Sequence, residues 1–122
     1  MYYLAIVSLL LTTQMTGMNL LQINFSQSVE SEIIQVLHTE GLDDKRVSSI
    51  EEIIEEAGGE KLNPVYELSA EEIIHDNYGF ARTFKLYLKP GTDAEQAIKI
   101  LQSSPLIEKV KPVSINKTFN YQ

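Results

Sequence analysis

The chain has 122 residues, no cysteine and 43% hydrophobic residues, which bounds it to one domain with one modest core. The absence of cysteine excludes disulfides, thiol catalysis and cysteine-based zinc sites together. A formal net charge of −7 argues against a polyanionic partner, and no run of interleaved aromatic and basic residues offers a nucleic acid a stacking platform.

The charge is unevenly spread along the chain. Residues 1–81 hold three Lys or Arg against fourteen Asp or Glu, a balance of −11, whereas residues 82–122 hold seven against three, a balance of +4. In chain order, the first feature is the apolar run Leu4–Thr13, of signal-peptide length and short for a membrane span. No Lys or Arg precedes it, and Gly17 is the one candidate cleavage position. Residues 1–17 therefore read either as an export signal or as an amino-terminal extension, residues 18–115 as the folded domain, and residues 116–122 as a tail.

Within the domain, Leu21, Ile23 and Phe25 alternate with polar residues, the pattern of a half-buried strand. Ser28 is placed to cap a helix carrying Val29, Ile33, Ile34 and Leu37, with Gly41 as its stop. Leu42–Ser48 reads as a polar loop. Ser49 and Glu52 have capping-box spacing ahead of a stripe of Ile50, Ile53, Ile54 and Ala57, and Gly58-Gly59 ends that helix.

Lys61–Leu68 reads as an edge strand, because Pro64 lacks the N–H that a central strand needs. Ser69–Gly79 is a connection with room for one helical turn. Phe84, Leu86 and Leu88 alternate with Lys85, Tyr87 and Lys89, a strand with one wet face. After a Pro90-Gly91 turn, Thr92 and Glu95 suggest a second capping box, followed by a stripe of Ala94, Ala97, Ile98 and Leu101. Pro105 stops that helix, and Leu106–Ile115 returns as a strand. The order is β-α-β-β-α-β with an extra helix towards the amino terminus. It predicts an α+β, ferredoxin-like fold: an antiparallel sheet with helices on one face.

Few residues could run a reaction, and no enzyme is expected. His38 sits at a helix end, where an imidazole suits the helix dipole, and His75-Asp76 has no nucleophile motif to serve. The pairs Glu51-Glu52, Glu55-Glu56 and Glu71-Glu72 lack the alternating ligands and glycine turn of a calcium loop, so they read as solvated helix faces. No phosphate-binding glycine loop is present. Neither a cofactor, a metal nor a small-molecule substrate is expected.

The run Phe80–Ile115 (FARTFKLYLKPGTDAEQAIKILQSSPLIEKVKPVSI) resembles the propeptide of secreted subtilisin-like serine proteases. The matching pieces are Arg82 entering a strand, the turn Lys89–Asp93, the helix Ala94–Leu101, the connection Pro105–Glu108 and the element Val110–Pro112. Upstream, Leu62–Tyr66 and Gly79–Arg82 are similar to the spacing in some bacterial members. The resemblance implies a domain that assists folding of the protease catalytic domain and inhibits it, in cis or in trans, outside the cytoplasm (secreted or periplasmic). It implies docking through a surface that includes Lys85, Tyr87, Lys89, Glu71, Glu72 and Asp76. It also implies a tail lying in the protease cleft through Thr118, Phe119, Asn120 and Tyr121. The alternative is a non-catalytic regulatory or protein-interaction module of the same fold, because one fold hosts many functions.

Overall fold

The computed structural model describes residues 19–113; the readings placed on residues 1–17 and on Thr118, Phe119, Asn120 and Tyr121 lie outside the described residues. The elements are β1 (Leu20–Phe25), α1 (Ser31–Thr39), α2 (Ser48–Glu56), β2 (Gly59–Pro64), α3 (Ala70–Ile74), β3 (Thr83–Leu88), α4 (Ala94–Gln102) and β4 (Ile107–Pro112). Short 3-10 turns stand at Gly41–Asp43, Lys45–Val47 and Phe80–Arg82. Among the described residues no helix is long and apolar enough to cross a membrane.

The strands form one sheet in the order β2-β3-β1-β4, with every neighbouring pair antiparallel. The chain thus has the expected α+β architecture. Both α1 and α2 fall in the first connection, between β1 and β2. Alternation explains why the sheet has two different faces. Leu21, Ile23 and Phe25 of β1 and Phe84, Leu86 and Leu88 of β3 turn to one side and are buried. Ile34 and Leu37 of α1, Ile50 and Ile54 of α2, and Ala97 and Leu101 of α4 cover them as one core. At its centre the Phe25 and Phe84 rings meet edge to face, 5.3 Å apart, a favoured aromatic geometry.

Gly58 and Gly59 join α2 to β2, and each is required for a separate reason. Gly58 takes φ +88°, the left-handed conformation that ends a helix and that side-chain-bearing residues resist. Gly59 faces the core, where a Cβ would come 2.5 Å from Ile54 Cγ2 and 2.8 Å from Leu86 Cδ1. A helix stop and a close helix–sheet approach are therefore adjacent in the chain.

Three helix starts differ from the sequence expectations. Ser28 does not cap α1: its hydroxyl pairs with that of Ser26 at 2.6 Å, and Glu30 holds the cap position without a side-chain bond. Buried Val29 is instead an anchor ahead of the helix. The Ser49–Glu52 capping box does not form, because the preceding 3-10 turn runs directly into α2 at Ser48. Asp93, not Thr92, caps α4, accepting from the N–H groups of Glu95 and Gln96. A capping box forms at Ser69–Glu72 and starts α3, the short helix in the connection where one helical turn was expected. The loop expected over Leu42–Ser48 holds two 3-10 turns that bury Val47. The edge strand starts at Gly59 and stops at Pro64, before Leu68.

Candidate docking surface

Among the described residues, the open face of the sheet, away from the helices, leaves Tyr87 exposed while Leu20 and Thr83 on it are buried. Its centre is set by the register of β1 with both neighbours. Lys85 stands opposite Gln22, which stands opposite Lys111, and Tyr87 is flanked by Leu20 and Lys61. Asn24 lies between Thr83 and Lys109. Tyr87 is exposed and Lys85 half-buried. The wet face expected from the Phe84–Lys89 alternation is this face.

A polar network fixes one end of it. The Asn24 amide donates to Thr83 Oγ1 at 2.8 Å, and the Thr83 hydroxyl donates to the Gly79 carbonyl at 2.8 Å. The Asp76 carboxylate accepts from the N–H groups of Tyr78, Gly79 and Ala81. Three donors converging on one carboxylate hold the 76–81 loop in shape. Arg82 Nη1 donates to the carbonyls of Ser26 at 2.6 Å and Val29 at 2.7 Å. Burial lowers the Arg82 pKa from the ordinary arginine value, while the charges of Asp76 and Glu108 act in the opposite direction.

The residues named for docking separate into three groups. Lys85 and Tyr87 share the open face, and Lys89 is exposed just past the end of β3. Glu71 and Glu72 are exposed on α3, which packs on α1 in the helix layer, and Glu72 is engaged in the capping box. Asp76 is committed to its own loop. The histidines are apart from one another. His38 Nε2 lies 2.9 Å from the Ala81 carbonyl, which can only accept, so this nitrogen carries the proton. Its ring packs edge-on against Phe84, while His75 is exposed at the end of α3.

Sequence reasoning missed an aromatic cluster. Phe80 lies between Tyr66 and Tyr78, with ring centroids 5.0 Å and 5.7 Å away, and Tyr78 is 82% exposed. Three aromatics within fifteen residues of a connecting segment were the available signal. A polar cleft of about 240 Å³ reaches from Tyr78 to the open face, lined by Asn24, Glu108 and Lys109 on one side and by Tyr78, Gly79 and Arg82 on the other. No protein-family model, curated protein or solved structure matches the chain.

Proposed function

We propose that this chain is a propeptide-like domain that docks its open sheet face on the catalytic domain of a subtilisin-like serine protease, assists its folding and inhibits it. The observation that carries the reading is where the chain leaves the sheet. The Val113 N–H donates to the Leu20 carbonyl at 2.9 Å, extending the β1–β4 ladder beyond Pro112. Leu20 is the register partner of Tyr87. Val113, the last described residue, therefore stands on the same level of the sheet as Tyr87, two strands away with Leu20 between them.

In this reading the sheet anchors the domain and Thr118, Phe119, Asn120 and Tyr121 occupy the substrate cleft by strand addition, where backbone hydrogen bonds supply affinity. The link between anchor and tail raises the tail's effective concentration at the cleft. The domain then works where such proteases work, secreted or in the periplasm. Refolding tests the folding role. Adding the chain in trans to a denatured subtilisin-type catalytic domain should raise the recovered activity after dialysis. Recovery no better than with an unrelated acidic protein of equal size would contradict it.

A further inference from the structure

The charge that is spread unevenly along the sequence is segregated across the fold. Four lysines, Lys61, Lys85, Lys109 and Lys111, occupy outward ladder positions on the open face, one or two from each of three strands. None of the seventeen carboxylates occupies such a position. The carboxylates closest to it in sequence, Glu60 and Glu108, fall at the register shifts of the two edge strands, and the others lie on helices, helix caps and connections. Among the described residues the one ion pair is Asp44–Arg46, far from this face in the chain. A molecule of net charge −7 thus carries four lysines on this face, two of them beside an exposed carboxylate, Glu60 next to Lys61 and Glu108 next to Lys109.

Geometry makes that surface cooperative. Neighbouring strands are about 4.8 Å apart and alternate residues about 7 Å apart along a strand, so nearest members of the group lie about 7–10 Å apart and the most distant pair, Lys61 and Lys109, about 20 Å apart. At about 8 Å, the screening length at physiological salt leaves nearest members of the group in mutual repulsion. Exposed Glu60 and Glu108 offset part of that repulsion beside Lys61 and Lys109, and an opposing set of carboxylates would relieve it for Lys85 and Lys111 as well.

We infer that the open face is built to receive an acidic protein surface, with the four lysines opposite carboxylates or helix carboxy-termini and with Tyr87 and the Tyr66–Phe80–Tyr78 cluster as apolar anchors. Lysines near a helix carboxy-terminus meet the negative end of its dipole. Exposed aromatics beside a charged field match the anchor-and-rim composition of protein interfaces. A nucleic acid fits less well, because the acidic helix layer repels it at distance. This inference deepens the docking reading by naming the chemistry of the partner's surface, and it rests on that reading only in taking the partner to be a folded protein.

The test is an amide-resolved NMR titration of the full chain with a twenty-residue polyglutamate peptide, at low and physiological salt, with a twelve-residue oligothymidylate in parallel. Shifts should concentrate on Lys61, Lys85, Tyr87, Lys109 and Lys111, and the peptide's affinity should fall several-fold at the higher salt. Binding should disappear in the K61Q/K85Q/K109Q/K111Q variant. If that variant does not fold, K85Q and K111Q singly should each weaken binding. The inference is overturned by no binding, by shifts spread over Lys45, Lys89 and Lys99, or by binding that survives the substitutions. Tighter binding of the oligothymidylate would assign the face to nucleic acid instead, and a salt-sensitive dimer without probe would assign it to a second copy. Peptide binding through these lysines by a chain that inhibits no subtilisin-like protease would uphold the acidic-surface inference while removing the protease as its partner.

Discussion

Arg82 Nη1 lies 2.6 Å from the carbonyl oxygen of Ser26, fifty-six residues earlier in the chain. With the second bond to Val29, one partly buried guanidinium holds the turn between β1 and α1 against the start of β3. Replacing Arg82 with Met should leave two carbonyls without this donor and cost about 1–3 kcal/mol. Arg82→Lys should recover only part of that, because an ammonium on a flexible stem does not reproduce the planar donor geometry. Urea unfolding midpoints compare the three proteins, and equal midpoints would remove Arg82 from the stabilising network.

Leu101 and Ile98 share the apolar stripe of α4 but not its burial. Leu101 is fully buried, whereas Ile98 is partly buried against the core. Leu101→Ala should therefore cost about 2–4 kcal/mol, as buried aliphatics do. Ile98→Ala should cost visibly less, a correction to the equal weight that the stripe alone suggests. A larger loss at Ile98 than at Leu101 would contradict the orientation of α4.

Gly59→Ala should destabilise by about 1–3 kcal/mol, since the added methyl overpacks the contact between α2 and β3. The clash is with Ile54 and Leu86, so pairing the change with Ile54→Val, which removes a methyl group, should restore part of the loss. Thermal unfolding of the single and double variants checks this, and strictly additive losses would argue against a shared steric cause.

The side-chain hydrogen bond from Arg46, together with the Arg46 backbone N–H, holds the Asp44 carboxyl at about 2 rather than its ordinary 3.8. A depressed folded-state value means that the pair's contribution is present above the ordinary carboxyl range and is lost as pH falls from about 4 through 2. Both groups stand at the surface, so the effect on stability is small. The expected observation is an Asp44 titration midpoint near 2 by carboxyl NMR, moving towards 3.8 in Arg46→Gln. A wild-type midpoint already near 3.8 would mean that the ion pair does not form in solution.

The parts of the fold that local periodicity governs were legible in the sequence. The alternation at Phe84–Lys89 and the stripe through Ala97 and Leu101 report burial directly, since each depends on one element facing one core. Helix starts were less legible. Thr92 and Asp93 are both good caps one residue apart, and the choice falls to the residue that leaves the Pro90-Gly91 turn in an extended conformation, Asp93 at φ −77° and ψ 111°. The Arg82 contacts carried no local sign, because their acceptors are backbone carbonyls from a distant turn. The lysine face was half visible: Lys109 and Lys111 flank Val110 in the sequence, but only the pairing of β1 with both β3 and β4 brings them beside Lys85.

The central claim is that the open sheet face anchors a tail that occupies a protease cleft, and one comparison of inhibition constants tests it most directly. The full chain and a chain lacking Thr118–Gln122 are assayed against the same subtilisin-type protease. The account predicts competitive inhibition by the full chain, weakened by roughly 10²-fold or more in the truncated one as the bivalent link is lost, with binding of the truncated domain still measurable. Equal inhibition constants for the two chains, or no inhibition by either, would contradict it.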